Sequence, residues 1–367
     1  MIVLANVDGM RAALAAVSSV VPARSPKPVL QSVLLTANEN DVTLTANDLE
    51  VSIVYHVSGV RVDQPGRVLL PFAKFSQIMK LVQSLDVAIE LAGDKILIKT
   101  DKGKWNLLSE DPGQFPLAMP FISKNYLVCD SAELLEGIKR TEFAVDVDST
   151  RYALGGVCFL INSHHLQLVA TDGRRLALQP VTKVTPHGEI ETAADVVSVK
   201  ALRAIKGIIG GGSTHLYMTR NSVHVRTERA TVYGRLVEGR FPRWQDVLPG
   251  HRHTVLSISA GDFLAALAQA AVTTSDESRG LQCNFMADGT VRISSKSEIG
   301  TTAVEIQAEW VTGACDTQVT FDHRFIADGL SKMIGYVELV LSGEKGPGLI
   351  NGDSDYKYVV MPLTKEA

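Results

Sequence analysis

The segment at residues 131–143 reads SAELLEGIKRTEF and has the apolar spacing of an amphipathic α-helix. Leu134, Leu135 and Ile138 fall on one helical face, and Ser131 is a residue type that caps helix N-termini through its side-chain oxygen. The same helical pattern recurs at two other places in the chain, residues 8–20 and 260–272. The segment is therefore predicted to belong to a repeated unit.

Two further landmarks recur in the same order after each of these helices. A second helical pattern of Leu, Ile and Met follows near the middle of each repeat, at residues 71–82, 198–209 and 322–333. An apolar residue followed by proline closes each repeat, at Pro116, Pro242 and Pro362. Because proline removes a backbone donor, it is expected to mark a strand end. A period of about 120 to 130 residues is longer than that of solenoid repeats and indicates repetition of whole domains.

Between the helices, the sequence has the pattern of half-buried strands and hairpin turns. Apolar and polar residues alternate at residues 42–45, 165–169 and 291–294. Pairs typical of hairpin turns separate such runs: Asn40-Asp41, Asp172-Gly173 and Asp288-Gly289. Each repeat is therefore predicted to be an α+β domain in which two helices pack on antiparallel sheets. The predicted domains are N-terminal, 1–120; central, 121–250; and C-terminal, 251–367.

Composition favours a folded protein without a secretory or membrane segment. The chain has 367 residues, of which 46% are hydrophobic and 21% charged, with a formal net charge of -4. Asn6 and Asp8 interrupt the apolar core that a signal peptide needs, so we expect a cytoplasmic location. The four cysteines are far apart and predict neither a disulfide framework nor a zinc site.

Sequence motifs for catalysis or cofactor binding are absent. Neither a phosphate-binding GxxxxGK[ST] loop nor the GxSxG or HExxH pattern occurs. His164-His165 and residues 251–253 are the densest histidine groups, and both are interpreted as surface residues. Asp146 and Asp148 leave one alternative open, a metal-dependent DNA hydrolase. The chain is nevertheless predicted to have no catalytic residues, no cofactor and no metal.

Several segments resemble the bacterial DNA polymerase III β subunit, the sliding clamp family. The resemblance is most specific in the hairpin ATDGRRLAL at residues 170–178. Four other stretches share it: PVL at 28–30, TANDLE at 45–50, EGRFP at 238–242 and YVVMPL at 358–363. These segments span the whole chain, in order and at nearly constant spacing.

The resemblance implies a non-catalytic processivity factor. Two subunits would join head to tail into a six-domain ring around duplex DNA, with helices lining the hole, and would tether the replicative polymerase. Implied partners are double-stranded DNA without sequence preference, the replicative DNA polymerase catalytic subunit, the clamp loader, and other polymerases and repair proteins. A specialised clamp paralogue serving an accessory polymerase remains an alternative.

A sliding protein needs basic side chains that contact phosphates without reading bases. The helices and adjoining segments supply the candidate DNA-binding residues, of which Arg24 and Lys200 also match family positions that contact DNA: Arg24, Lys74, Lys80, Lys139, Arg140, Lys200, Lys206, Arg324 and Lys332.

The resemblance also implies an apolar pocket for a short partner peptide and a subunit interface. The residues carried over to the pocket are Leu154, Thr171, Gly173, Arg175, Leu176, Pro242, Val247, Val359, Val360, Met361, Pro362 and Leu363. Arg175 is expected to keep its charged head in water. The residues carried over to the interface are Lys99, Lys102, Lys104 and Trp105 on one side, and Val272, Thr273, Glu298 and Glu305 on the other. Asp246 and the tail at residues 364–367 depart from the family pattern at the pocket rim.

Overall fold

The computed structural model describes residues 1–147, 152–162, 164–250, 254–275 and 279–363. Asp148, residues 251–253 and the tail at 364–367, all considered above, lie outside these ranges. Within them, no helix is long and apolar enough to cross a membrane.

The order of secondary-structure elements is the same in each third of the chain: one strand, one helix, five strands, one helix and three strands. In the first third these are β1 Ile2–Asn6, α1 Val7–Val17, β2 Ser32–Ala37, β3 Val42–Asn47, β4 Val51–His56, β5 Val60–Gln64, β6 Gly66–Pro71, α2 Phe72–Leu81, β7 Asp86–Ala92, β8 Lys95–Lys99 and β9 Lys104–Leu108.

In the second third they are β10 Tyr126–Asp130, α3 Ser131–Thr141, β11 Gly156–Ile161, β12 Leu166–Thr171, β13 Arg175–Val181, β14 Val184–His187, β15 Ala193–Ser198, α4 Val199–Ile208, β16 Ser213–Met218, β17 Ser222–Arg226 and β18 Ala230–Val237.

In the last third they are β19 Thr254–Ser259, α5 Ala260–Ala270, β20 Gly280–Phe285, β21 Thr290–Ser297, β22 Gly300–Gln307, β23 Glu309–Thr312, β24 Thr317–Asp322, α6 His323–Leu330, β25 Tyr336–Leu341, β26 Gly348–Asn351 and β27 Lys357–Val360. The predicted threefold α+β repeat is thus confirmed. Six α-helices stand where helical spacing predicted them, within the described residues.

The helix starts are set by capping side chains at strand ends. Asn6 accepts hydrogen bonds from the backbone N–H groups of Asp8 and Gly9, so α1 begins one residue before the predicted start. Ser198, Ser259 and Asp322 cap α4, α5 and α6 in the same way. Each cap satisfies donors that the first helical turn leaves unpaired.

The chain forms two compact units. The first comprises residues 1–135, 183–192 and 197–237, and the second residues 136–182, 193–196 and 238–367. In the first unit, antiparallel pairing gives the strand order β14-β10-β16-β17-β18-β4-β3-β2-β6. A separate sheet has the order β5-β1-β7-β8-β9.

In the second unit the pairing order is β11-β12-β13-β27-β26-β25-β19-β23. A separate 4-stranded sheet has the order β22-β21-β20-β24. The cores lie between helices and sheets, where Phe75, Phe159, Phe263 and Phe321 are fully buried.

Two glycines allow helices to lie close on these sheets. At Gly234 on β18, a Cβ atom would lie 2.7 Å from the Cβ of Ala201 on α4. At Gly329 on α6, a Cβ would lie 2.3 Å from the ring of Tyr358 on β27. Any larger residue would force the helix away from the strand.

Two of the three proline landmarks differ from the prediction. Pro362 follows the end of β27 closely, but β9 ends at Leu108 and β18 at Val237, well before Pro116 and Pro242. The apolar residue before Pro116 has another role, because Phe115 is buried against Leu34 and Leu69. The first two prolines therefore mark connecting segments rather than strand ends.

Candidate functional site

Most of the predicted DNA-binding side chains are exposed. Arg24 lies in the segment after α1, Lys74 and Lys80 on α2, Lys139 on α3 and Arg324 on α6, all with exposed side chains. Lys206 and Lys332 are half-buried, and the Lys332 ammonium lies 5.5 Å from the centre of the Phe143 ring. Arg324 is partly committed to Asp322, at 2.9 Å.

Lys200, at the start of α4, is held by two carboxylates. Its ammonium lies 2.7 Å from Asp48, whose side chain is 3% exposed, and 3.0 Å from Glu50. Burial alone would lower the pKa of Lys200, but hydrogen bonds to these carboxylates and their charges outweigh it and raise the pKa. Lys200 therefore stays charged, and that charge is largely compensated inside the protein.

Arg140 is buried, which contradicts the expectation that it contacts DNA. Its side chain is 8% exposed and pairs with Glu136 at 2.9 Å and Asp353 at 2.7 Å. It also donates to the Gln179 amide oxygen and lies 5.4 Å from the centre of the Tyr356 ring. Arg140 joins α3 to the turn before β27, and each of its three guanidinium nitrogens already donates within the protein.

The predicted pocket residues converge where β13 pairs with β27. Leu176 lies opposite Val359, and Arg175 opposite Val360. The Met361 N–H continues the ladder by donating to the Arg174 carbonyl at 2.8 Å. Gly173 has a φ of 84°, which allows the tight hairpin before Arg175.

The predicted pocket residues differ in burial: some are buried in the core and others are partly exposed. Val359, Val360, Leu176 and Leu154 are buried and belong to the core. Apolar surface is offered by Val247, Met361 and Leu363, which are 38%, 37% and 42% exposed. Thr171 is buried and its hydroxyl donates to the Arg175 carbonyl, so it shapes the hairpin.

The head of Arg175 is not in water, contrary to prediction. Its side chain is 11% exposed and pairs with Asp172 at 2.9 Å and Asp328 at 2.5 Å. Its guanidinium lies over the rings of Phe143 and Phe325, at 5.4 and 4.8 Å from their centres. Arg175 thus ties the hairpin to α6, since cation–π contact and ion pairing both hold the guanidinium in place.

A cavity of about 630 Å³ adjoins these residues. Val247 and Met361 from the predicted set line it, as does Asp246, which was expected at the rim. The other lining residues were missed by sequence spacing: Leu248, Pro249, Gly250, Thr254, Leu341, Ser342, Gly343 and Pro347. Most of the missed residues lie in two loops, where no periodic pattern signals a shared surface. The volume and apolar lining suit a side chain or short peptide.

Three of the predicted interface residues, Lys104, Trp105 and Glu305, lie on strands at sheet edges, and the others lie in neighbouring segments. Trp105 is on β9, the edge of the β5-β1-β7-β8-β9 sheet, and Glu305 is on β22, an edge of the 4-stranded sheet. Edge strands present unpaired backbone groups that favour pairing with another chain. Lys102, Lys104 and Glu298 are exposed, as is Val272 at 76%.

Some interface residues already have partners within the chain. Lys99 pairs with Glu90 at 2.8 Å, and Glu305 with Arg292 at 2.9 Å. The Thr273 hydroxyl bonds to Thr302 and Ser295. Two exposed apolar residues at the same edges were missed, Leu108 at 68% and Ile299 at 73% exposure. A single exposed apolar residue is common on any protein surface, so only the strand edge makes these two informative.

In the described ranges, no cluster of three or more His, Cys, Asp or Glu residues could hold a metal ion. Cys129, Cys158 and Cys283 are buried, and burial raises the pKa of each thiol to about 12. They are therefore poor nucleophiles.

Comparison with known proteins covers the whole chain. Models of the DNA polymerase III beta subunit match residues 3–120 as its N-terminal domain, 129–243 as its central domain and 245–364 as its C-terminal domain. Proteins called "Beta sliding clamp" from Vibrio cholerae and Staphylococcus aureus are 26% and 28% identical, over 95% and 93% of both chains.

Solved structures show the same fold. The DNA polymerase III subunit beta from Pseudomonas aeruginosa has a TM-score of 0.90 at 25% identity, covering 99% of this chain and 100% of that one. The sliding clamp from Bacillus subtilis has a TM-score of 0.93 at 23% identity, with both chains fully covered. The fold is therefore that of a three-domain clamp. The chain belongs to the DNA polymerase III beta subunit family.

Proposed function

We propose that this chain is a DNA sliding clamp, a non-catalytic processivity factor that encircles duplex DNA and tethers a replicative polymerase. The observation that carries this proposal is the threefold repeat of one element order, matched domain by domain to the family from residue 3 to residue 364. We place the domain boundaries near residues 120 and 250.

Ring closure would use the two sheet edges. A head-to-tail contact is heterologous, and it closes only if its rotation generates a ring. The β9 edge with Lys102, Lys104, Trp105 and Leu108 would meet the partner's β22 edge and the exposed Val272, Glu298 and Ile299. Opposite charges would set the register, while the apolar residues supply most of the affinity.

DNA contact would be weak and independent of sequence. The exposed residues Arg24, Lys74, Lys80 and Lys139 offer mobile charges to phosphates, whereas the buried Arg140 does not. Arg324 is exposed but paired with Asp322, so it would contribute less. Persistence on DNA would come from topology, so a few phosphate contacts suffice and permit sliding.

Partners would dock at the cavity beside Met361. An extended peptide with leucine or phenylalanine anchors would insert apolar side chains between Val247, Met361 and Leu363, and backbone groups would fix its direction. The polymerase, the clamp loader and repair proteins would compete for this site in the cytoplasm, close to the nucleoid.

Release by linearisation tests the function. The chain is loaded onto nicked circular DNA with a clamp loader, and retention is measured by gel filtration before and after a single cut. A topological ring is expected to stay on the circle and to leave after the cut. The proposal would be overturned if retention were the same on circular and linear DNA and fell only when the salt concentration was raised.

A further inference from the structure

Two columns of contacting aromatic rings lie on one face of the sheet formed by β14, β10, β16, β17 and β18. The first joins His187, Tyr126 and His215, with successive ring centres 4.6 and 4.7 Å apart. The second joins Tyr217, His224 and Tyr233, with centres 4.3 and 5.2 Å apart. Cross-strand register produces both, since Tyr126 lies opposite His187 and His224 lies between Tyr217 and Tyr233.

Phe121 and Arg226 connect the columns. The Phe121 ring meets Tyr126 and Tyr217 edge-on, at 5.7 and 4.7 Å. The Arg226 guanidinium lies 4.4 Å from the centre of the Phe121 ring, and its Nη2 lies 3.0 Å from Nδ1 of His215. Phe121 is thus enclosed by two tyrosines and an arginine.

Phe121 belongs to the linker between β9 and β10. The earlier part of this linker is held by Phe115, which is buried, and by the Asn47 amide, which donates to the Leu117 carbonyl at 3.2 Å. Phe121 holds the later part, while Leu117 and Ile122 are 81% and 76% exposed. The Ile122 N–H also donates to the Tyr217 hydroxyl at 3.5 Å, so the later part of the linker is held by Phe121 and by a tyrosine of the second column.

We propose that Arg226 and the two ring columns form a clasp that fixes this linker, and that protonation of His215 and His224 opens the clasp. The clasp is a property of the single chain and goes beyond the proposed clamp function. Arg226 acts here as a positioning residue, because it holds Phe121 and touches neither DNA nor a partner peptide in the proposed function.

Charge explains why protons would open the clasp. His215 faces Tyr126 on β10, His187 on β14 and Arg226 on β17. The pKa of His215 is lowered first by burial and then by electrostatic interaction with Arg226 and His187. Neutral His215 accepts a hydrogen bond from Arg226. Protonated His215 cannot accept it and repels the guanidinium, which removes the cation from Phe121.

His224 acts in the same direction. It faces Tyr217 on β16 and Tyr233 on β18, and bonds to Ser222 on its own strand at 2.9 Å. Burial lowers its pKa to about 4, and within the described residues its Nδ1 is buried without a hydrogen-bond partner. A proton there would place an uncompensated charge between two tyrosine rings.

Hydrogen exchange of the full-length chain tests the clasp. Amides of residues 115–125 are followed at about pH 7.5 and about pH 5, on either side of the ordinary histidine pKa, with rates corrected for intrinsic exchange. In the wild type we expect linker exchange to be about tenfold faster at the lower pH, while β7 and β8 stay protected.

Variants separate the roles. In the Arg226→Ala variant, the linker amides are expected to exchange fast at both pH values. In the Arg220→Ala variant, which replaces an exposed arginine in the turn between β16 and β17, they are expected to exchange as in the wild type. The double substitution His215→Phe with His224→Phe keeps both rings without a titrating group, and it is expected to keep the linker slow at low pH. Each single substitution is expected to remove part of the pH response. Unchanged linker exchange in Arg226→Ala, or a full pH response in a folded double variant, would overturn the proposal.

Discussion

Arg140 and Asp353 form an ion pair of 2.7 Å although they stand 213 residues apart in the chain. The pair connects α3 with the turn before β27, where Tyr356 is fully buried and donates its hydroxyl to the Arg140 carbonyl. An arginine on a helix of the central domain therefore stabilises the junction with the C-terminal domain.

Loss of this pair is expected to destabilise the protein strongly. Asp353→Asn leaves the buried guanidinium without its main counter-charge, and we expect a loss of about 3 kcal/mol in the free energy of unfolding. Urea denaturation followed by circular dichroism measures it. Glu136→Gln is the control, because Glu136 is 52% exposed and should contribute less than about 1 kcal/mol. Equal effects of the two variants would contradict the assignment.

Lys200 and Arg24 are expected to differ in their effects. Lys200→Ala leaves Asp48 buried without its cation, so it should lower the stability by about 1 to 2 kcal/mol. Arg24→Ala should leave the melting temperature unchanged and shorten retention on circular DNA, because an exposed phosphate contact is lost. Retention assays at several salt concentrations, beside thermal melts, distinguish the two. Identical behaviour would show that Lys200 is not committed to Asp48 and Glu50.

Dimer formation is expected to depend on the β9 edge. Leu108→Asp places a charge where the proposed interface is apolar, and it should raise the dimer dissociation constant at least about a hundredfold, equivalent to roughly 3 kcal/mol. Sedimentation at micromolar concentration measures the mass. Val311→Asp, at another exposed apolar position, is the control. A wild-type chain that is monomeric at this concentration would refute the head-to-tail assembly.

Peptide binding is expected to depend on the exposed residues after β27. The double substitution Met361→Ala with Leu363→Ala should cost about 2 kcal/mol, or roughly thirtyfold in affinity, because both side chains offer apolar surface beside the cavity. Fluorescence titration of a polymerase-tail peptide measures this, and sedimentation checks that the dimer persists. Unchanged affinity would place the peptide site elsewhere.

Stability should fall in mild acid because of His224. Its pKa is lowered from 6.5 to about 4 in the folded protein, so the unfolded chain binds more protons between these values. Neutral His224 therefore makes its full contribution to the free energy of unfolding above pH 6.5. Acidification toward the pKa of the folded state lowers that free energy by about 2 kcal/mol. Denaturant titrations at successive pH values measure the loss. His224→Phe should flatten this part of the profile, and an unchanged profile would contradict the assignment.

Sequence periodicity predicted the helices well, because each has a continuous apolar face. Residues 198–209 were predicted to be helical, and α4 spans Val199–Ile208. The capping residues Asn6, Ser198 and Asp322 account for the one-residue differences at the starts of α1, α4 and α6. The prediction at Pro116 was wrong because proline is only a local signal for a strand end. It does not reveal a connecting segment whose Phe115 packs on strands distant in the sequence.

Side-chain partners across the fold could not be predicted from spacing. Glu136 and Arg140 have the spacing of an ordinary surface ion pair on a helix, and only the fold brings Asp353 to the other side of the guanidinium. Lys200 likewise looks like a solvent-exposed helix residue until β3 and β4 bring Asp48 and Glu50 beside it. The exposed apolar residues Val247 and Met361 were found because the family resemblance, rather than periodicity, pointed to them.

The backbone pairings at the two domain junctions have a mechanical consequence. Residues 230–234 of β18 pair with residues 51–55 of β4, and residues 175–178 of β13 pair with residues 357–360 of β27. Each junction is an antiparallel ladder whose hydrogen bonds share a shearing load, so that they fail together rather than one by one. These ladders and the covalent chain together resist tension within one subunit, so a closed ring under load would part between subunits, where no covalent connection exists.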